Sequence, residues 1–189
     1  MRLLPLLPVL LPALPAMAAW PMLGSDSQHT GLGEGSIVDL SGERRWENEF
    51  GRSLDEEGRV QPVIDHLGRI YLGTQDGTLL AFNSSGGQNW TLDLEGEITH
   101  SPAVSNDTIF VPTGDPGGLH ALTLDGEERW SLGLSDRVSS PVLHDGTVYL
   151  TASGGSLHLI SIDLAGGENW RVELDTGPSM PIRPSVGSS

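Results

Sequence analysis

Four tryptophans recur along the chain at nearly equal intervals, and each ends a phrase of the same shape. The phrases are IVDLSGERRW, AFNSSGGQNW, ALTLDGEERW and SIDLAGGENW, ending at Trp46, Trp90, Trp130 and Trp170. A period of about 40 residues with one indole per unit is typical of stacked β units, because one small sheet cannot bury its own faces. The chain is therefore expected to fold as an array of similar sheets.

Each full period contains signals for four strands. The first strand follows a proline, and the three evenly spaced prolines are Pro62, Pro102 and Pro141. Proline donates no backbone hydrogen bond, so it suits the start of an edge strand, such as the innermost strand of a propeller blade. After it come a tight turn, a second strand of β-branched and aromatic residues, and a glycine-containing turn that leads to a third strand. Four strands in about 40 residues match one propeller blade.

The turn before the fourth strand has its own signature, in which a short polar residue is followed three positions later by glycine. The polar residues are Asp39, Asn83, Thr123 and Asp163, and the glycines are Gly42, Gly86, Gly126 and Gly166. The polar side chain can bond the backbone at the start of the turn, and glycine supplies a left-handed position at its end. The fourth strand carries the tryptophan, whose indole we expect to contact the neighbouring blade and to find an acceptor for its N–H.

The spacing predicts an all-β partial propeller of about three four-stranded blades plus flanking strands. The blades span roughly 60–95, 99–134 and 138–174, outer-strand pieces precede them, and 179–189 has the pattern of the start of another blade. Propellers close with more blades than three, and an open arc leaves sheet faces and edges exposed. We therefore expect either a fragment of a larger propeller or a unit that self-associates through its open blade edges.

Residues 1–18 have the features of a cleavable secretory signal. Arg2 precedes an almost entirely apolar run from Leu3 to Leu14, and Ala16 and Ala18 are small residues at the positions that signal peptidase recognises. A membrane anchor is the alternative, but the run is shorter than the ~20 residues that a span needs, and prolines interrupt it. We expect 19–189 to be exported to the periplasm, the cell surface or the medium, without a membrane span.

Composition narrows the classes of partner and chemistry. The formal net charge is −15, and all ten basic residues are arginine. Such a surface repels nucleic acid and anionic lipid, and it fits either adaptation to high salt or an ordinary acidic surface. The chain has no cysteine, which excludes disulfides, thiolate metal sites, cysteine nucleophiles and a lipid-modified N-terminal cysteine.

No group of residues indicates a reaction. The histidines lack zinc-site spacing, no G-x-S-x-G elbow or calcium loop is present, and the acidic run 55–57 lies within a single loop. His66 and His144 both fall in the turn after the first strand of a blade, where they would line one rim. We predict no catalytic residue, no metal site and no cofactor.

The four phrases resemble the repeats of the PQQ-type β-propeller family, with the Asp/Asn/Thr, Gly and Trp positions retained in a slightly shorter variant. The segments Trp20–Gly24 and Gln28–Gly31 also resemble the start of mature members. That family includes quinoprotein alcohol dehydrogenases and the BamB scaffold of outer-membrane assembly. The resemblance implies a propeller fold, and it is compatible with an enzyme or with a scaffold.

The resemblance leaves two functions open, of which we favour the scaffold. The PQQ-dependent dehydrogenases use a ring of eight blades, a Ca²⁺ ion, a catalytic aspartate and often a vicinal cysteine pair, and none of their catalytic residues maps onto this chain. We therefore expect a non-catalytic binding module for a protein or a cell-envelope polymer. The absence of a lipidated cysteine departs from a lipid-anchored BamB-like protein. The alternative is an incomplete portion of a secreted PQQ-dependent dehydrogenase.

Overall fold

Each of the three full sequence periods forms one antiparallel sheet. The computed structural model describes residues 21–22, 46–47, 49, 59–115, 117–134 and 137–174, and in them it contains thirteen strands and no helix. The first sheet has the order β1 (Val63–Ile64), β2 (Ile70–Gly73), β3 (Thr78–Phe82) and β4 (Gln88–Asp93). The second has the order β5 (Ala103–Val104), β6 (Thr108–Thr113), β7 (Gly118–Thr123) and β8 (Glu128–Gly133).

The third sheet has an innermost strand that is split in two. Its main path is β10 (Val142–His144), β11 (Thr147–Ser153), β12 (Leu157–Asp163) and β13 (Glu168–Leu174), and β9 (Arg137–Val138) pairs with the far end of β11. Pro141 lies in the gap, where its missing N–H removes a ladder hydrogen bond. Pro62 and Pro102 likewise stand directly before β1 and β5.

A register shift recurs at one place in each sheet. It lies between the third and fourth strands, next to the pairs Ala81↔Trp90, Ala121↔Trp130 and Ser161↔Trp170. A bulge adds local twist and re-aims the neighbouring side chain. Its recurrence beside every one of these tryptophans places the three indoles at equivalent points of their sheets.

Two layers of hydrophobic core lie between the described sheets. One layer joins the first and second sheets and includes Tyr71, Leu79, Ile109 and Leu122, all fully buried. The other joins the second and third sheets through Phe110, Leu119, Val148 and Ile160. The prediction of an all-β partial propeller is confirmed, because four-stranded sheets stack face to face and share these layers.

Several predictions concern residues that the structure does not describe. They are the signal peptide 1–18, Asp39 and Gly42, the acidic run 55–57 and the blade start at 179–189. Among the described residues, no helix has the length and apolar character needed to cross a membrane.

Candidate functional site

The tryptophan of one blade contacts the last turn of the next blade. The Trp90 Nε1–H donates to the Leu124 carbonyl oxygen at 3.3 Å, and the Trp130 Nε1–H donates to the Leu164 carbonyl oxygen at 3.0 Å. Trp46 makes the corresponding bond to the Ser84 carbonyl oxygen at 3.3 Å. We call each such pairing of an indole with the next blade's turn a clasp. The indole N–H is satisfied across the interface, so the Trp90 and Trp130 clasps each fix the position of two sheets relative to one another.

Glycine is required beneath each indole for two reasons. Gly86, Gly126 and Gly166 have φ values of +83°, +89° and +91°, a region that side chains with a Cβ rarely adopt. A Cβ at these glycines would also approach the indoles of Trp46, Trp90 and Trp130 to 2.6, 3.1 and 2.8 Å. The clasp therefore combines a flat aromatic surface with a turn that has no side chain at the point of contact.

The polar residue that opens each clasp turn holds its shape. Asn83 Oδ1 accepts the backbone N–H groups of Ser85 and Gly87 at 3.0 and 2.9 Å. Asp163 Oδ1 accepts those of Ala165 and Gly167 at 2.9 and 2.8 Å. In the middle blade, Thr123 Oγ1 accepts the Glu127 N–H at 3.1 Å. The turn's shape is therefore fixed by its own hydrogen bonds and does not depend on the indole.

An aromatic ring of the second strand supports each indole from within its own sheet. The ring centroids are 6.0 Å apart for Tyr71 and Trp90, 6.0 Å for Phe110 and Trp130, and 6.1 Å for Tyr149 and Trp170. Interplanar angles of 41°, 50° and 49° are tilted arrangements in the favourable range for aromatic pairs. The indole is thus oriented by its own blade as well as by the next one.

A buried polar network centred on Asp65 lies beside the clasp that Trp90 makes with the second blade. Its Oδ1 accepts the backbone N–H groups of Leu67 and Arg69, both at 2.9 Å. Its Oδ2 accepts Arg69 Nε–H at 2.7 Å and Tyr71 O–H at 3.0 Å. Arg69 extends across the interface to Asp125 at 3.3 Å. The Asp65 carboxylate has no exposed surface and accepts these four hydrogen bonds.

The network shifts the acid–base equilibria of its members. Burial by itself raises the pKa of Asp65, but the hydrogen bonds from Arg69 and Tyr71 and the guanidinium charge outweigh burial and hold that pKa below its usual value. Burial and the neighbouring Asp65 charge raise the pKa of Tyr71 far above its usual value. At neutral pH the aspartate is therefore charged and the phenol is neutral. The repeat pattern does not predict this network, because the other two blades have Ser105 and His144 at the turn position of Asp65.

The turns after the innermost strands meet around a cavity of about 520 Å³ at one rim of the array. We call this the rim cavity, and its lining comprises Pro21, Met22, Asp65, His66, Val104, Ser105, Asn106, Leu143, His144, Asp145, Gly146, Thr147 and Leu164. All three blades contribute to it. His66 and His144 both lie on its wall, so the expectation that they share one rim is confirmed.

A short N-terminal segment closes the floor of the rim cavity. The Pro21 carbonyl oxygen accepts the Val104 N–H at 2.7 Å, which extends the innermost edge of the middle blade. Met22 is only 6 % exposed and packs against Ala103, Val142 and Leu143. The segment therefore fills the space between the innermost strands of the second and third blades. This contact joins distant parts of the chain, and it has no local signal in the sequence beyond its apolar residue types.

The rim cavity offers noncovalent binding groups around an apolar floor. His144 lies 3.4 Å from the exposed Asp145 carboxylate, and Ser105, Asn106 and Thr147 add hydroxyl and amide groups. In the part of the chain that is described, no three His, Asp or Glu side chains are placed to hold a metal ion. Such a cavity, with apolar walls and a few polar groups, suits the binding of a small ligand or of a side chain from a partner.

Comparison with known proteins agrees with the observed architecture. A family model described as outer membrane protein assembly factor BamB matches residues 33–131 and 75–189. No curated protein matches the chain. The crystal structure of BamB from Moraxella catarrhalis is similar at a TM-score of 0.53 and 21 % identity, over 60 % of this chain and 37 % of that one.

The likeness to the solved BamB structure shows a shared fold, over little more than a third of that protein's length. The family match covers most of the chain and includes all three described sheets. The resemblance seen in the sequence is thereby confirmed, and the chain belongs to the BamB-like branch of the PQQ-type β-propeller repeat family.

Proposed function

We propose that this protein is an exported, non-catalytic scaffold that binds a protein partner at its rim cavity. The observation that supports the proposal is that different side chains hold the blades together and line the cavity. The repeated tryptophans, glycines and turn residues hold one blade to the next. The turns that differ between blades surround the cavity, together with Leu164 of the third blade's clasp turn. Loops on a rigid scaffold are where recognition is usually placed.

The chemistry of the rim cavity favours a polypeptide partner. A volume of about 520 Å³ accommodates one or two large side chains, and Met22, Val104 and Leu143 supply an apolar floor. Hydroxyl, amide and imidazole groups around it can bond the partner's backbone. Asp145, whose side chain is 91 % exposed, adds negative charge at the mouth. A partner segment that has an apolar side chain next to a basic residue fits these groups. An envelope polymer is the alternative ligand.

Two further points support an envelope scaffold. The family model is described as outer membrane protein assembly factor BamB, and the similar solved structure is a BamB. Residues 1–18 have the charge and apolar pattern of an export signal. Together they favour assembly or organisation of other proteins outside the cytoplasm.

Export is tested by expressing the full chain with a C-terminal tag and sequencing the N-terminus of the product. We expect the mature protein to begin at Ala19 or Trp20. A product that retains residues 1–18 and stays with the cytoplasmic fraction would contradict export.

Binding at the rim is tested by chemical cross-linking in envelope fractions followed by mass spectrometry, comparing wild type with Leu164→Asp. Leu164 lines the rim cavity and is 42 % exposed. The new carboxylate therefore adds negative charge to the cavity wall while it stays in contact with solvent. The matched control is Leu67→Asp, an exposed leucine of another rim turn that lies outside the lining. We expect a defined partner that Leu164→Asp loses and Leu67→Asp keeps. Equal capture by all three proteins would place binding elsewhere.

Catalysis is tested separately. The purified chain mixed with PQQ, Ca²⁺ and a primary alcohol is expected to give no reduction of an electron-accepting dye. Sustained dye reduction would refute the non-catalytic proposal and support the dehydrogenase alternative.

A further inference from the structure

Aspartate is followed directly by glycine at three places in the chain, each between two consecutive strands. The pairs are Asp76–Gly77, Asp125–Gly126 and Asp145–Gly146. In such a pair the glycine nitrogen can attack the aspartate side-chain carbon to form a five-membered imide, because glycine has no side chain that hinders the approach. Water then reopens the imide to aspartate or to isoaspartate. All three pairs have glycine after aspartate, so differences in their reactivity depend on the fold.

Two of the three pairs are held in place by their surroundings. Gly77 is buried, and its N–H donates to the Thr74 carbonyl oxygen at 3.1 Å. Gly126 lies beneath the Trp90 indole, and its N–H donates to the Thr123 carbonyl oxygen at 3.0 Å. At both glycines, attack on the preceding aspartate requires the peptide unit to rotate out of a hydrogen bond and away from packed atoms. Such local opening has a free-energy cost that slows the reaction.

The third pair lies at the exposed tip of the hairpin between β10 and β11. Asp145 and Gly146 are the two residues between the paired His144 and Thr147. In the described part of the chain the Gly146 N–H donates no hydrogen bond, and a Cβ at Gly146 would meet nothing within 4 Å. The Asp145 side chain is 91 % exposed. The reacting nitrogen and carboxyl group are therefore both free of the restraints that hold the other two pairs.

The backbone of Asp145 is also in a sterically disfavoured conformation. Among the described residues, Asp145 is the only one other than glycine with a positive φ, at +45°. A Cβ crowds the following carbonyl oxygen in this region, so leaving it relieves strain. An isoaspartyl residue has an additional methylene group in the main chain and is free of that restriction. The conformation therefore favours the product at this position.

We propose that Asp145 is a site of spontaneous isoaspartate formation, and that this modification remodels the mouth of the rim cavity. The Gly146 nitrogen forms a bond to the Asp145 Cγ, and one carboxylate oxygen leaves as water, taking the amide proton and one proton from solvent. A second water cleaves the bond between the Gly146 nitrogen and the Asp145 main-chain carbonyl carbon, and returns a proton to solvent. No oxidant or reductant is consumed.

Both residues of this pair line the rim cavity, so their modification changes its shape. Isoaspartate lengthens the main chain by one methylene group and attaches the carboxylate directly to Cα. A two-residue turn has no slack, so the His144↔Thr147 pairing must adjust to the longer chain. The consequence for a partner rests on the proposed function, in which the Asp145 carboxylate lies at the mouth of the cavity.

The test is incubation of the folded protein near neutral pH at body temperature for several weeks. Proteolysis and mass spectrometry with electron-transfer fragmentation then distinguish isoaspartate from aspartate at each position. We expect isoaspartate at Asp145 to form at least about fivefold faster than at Asp76 or Asp125, the factor that one net backbone hydrogen bond represents in a local opening equilibrium. Equal rates at the three positions, or no isoaspartate at Asp145, would overturn the proposal.

The same chain incubated in concentrated urea is the matched control for the fold. Without tertiary structure, the three pairs should react at rates within about twofold of one another, because each has glycine after aspartate. If Asp145 exceeded the other two by the same factor in urea as in the folded protein, its sequence neighbours would explain the difference, and the structural argument would fail.

The effect on the rim cavity is measured by cross-linking capture of the partner with aged and fresh protein. Aged wild type should capture less than fresh wild type. Aged and fresh Asp145→Glu should not differ from one another, because the longer side chain does not close a five-membered ring, and circular dichroism checks that this variant is folded. Equal capture by aged and fresh wild type would overturn the effect on the rim. Isoaspartate is measured without a partner, so failure of the proposed function is distinguishable from failure of this inference.

Discussion

The contact between Trp130 and Gly166 is the most direct test of how the blades are held together. Gly166 has φ +91°, and a Cβ there would lie 2.8 Å from the Trp130 ring. An alanine in this backbone region costs about 1–2 kcal/mol of strain, and forcing a methyl group against a packed ring costs about 1–3 kcal/mol more. We expect Gly166→Ala to lower the free energy of unfolding by about 3 kcal/mol.

The Trp130→Ala variant removes the other half of the contact. A buried tryptophan covers roughly 150–250 Å². Because Trp130 is only partly buried, we take about 150 Å², which at ~25 cal/mol per Å² gives an upper bound of about 4 kcal/mol. We expect a loss of about 3 kcal/mol. Glu128→Gln, an exposed charge change on the same strand, should alter stability by less than about 0.5 kcal/mol.

The double variant tests whether the two losses share one cause. Without the indole, the methyl group of alanine at position 166 meets no ring, so only the backbone strain remains. Gly166→Ala should then cost about 1–2 kcal/mol in the Trp130→Ala background, and the pair should be non-additive by about 1–2 kcal/mol. Gly146→Ala is the control, since Gly146 has φ +70° and a Cβ there would meet nothing within 4 Å.

The assay is urea unfolding followed by circular dichroism, with thermal unfolding as a second measure. At this chain length, a loss of about 3 kcal/mol corresponds to roughly 6–12 °C in the midpoint. Additive losses in the double variant, or equal effects of Gly166→Ala and Gly146→Ala, would refute the idea that the indole requires glycine beneath it.

Three further outcomes follow from the same contacts. Asp65→Asn should lower the free energy of unfolding at pH 7 by about 2 kcal/mol. Because the native pKa of Asp65 lies below its unfolded value of about 3.9, the difference from wild type should persist above that pH and shrink as the pH falls through the native pKa. A constant difference in urea midpoints down to pH 2 would contradict this. Tyr71→Phe should cost about 1 kcal/mol, since it removes the bond to Asp65 but keeps the ring that supports Trp90, and an unchanged urea midpoint would count against that bond. Trp170→Ala should lower the free energy of unfolding by less than Trp130→Ala does, because the Trp170 ring is 42 % exposed, and an equal loss would contradict this.

Much of the blade architecture is determined by short stretches of sequence. Pro62, Pro102 and Pro141 precede innermost strands because a residue without an N–H is tolerated at the start of an edge strand. Gly86, Gly126 and Gly166 follow a short polar residue by three positions because that turn requires both. These are short-range constraints of backbone geometry, so period and residue type are enough to predict three similar sheets. The signal peptide and the further blade start lie outside the described residues and stay predictions.

The rest depends on how the sheets meet. The identity of the glycine beneath each indole follows from the angle between blades, which pairs Trp90 with Gly126 and Trp130 with Gly166. The Asp65 network forms in only one blade and reaches Asp125 across an interface. Met22 reaches the rim cavity from a distant part of the chain. Trp130 and Trp170 stand in equivalent phrases, yet one is partly buried and the other exposed, because burial depends on the neighbouring sheet and not on the residue's own strand.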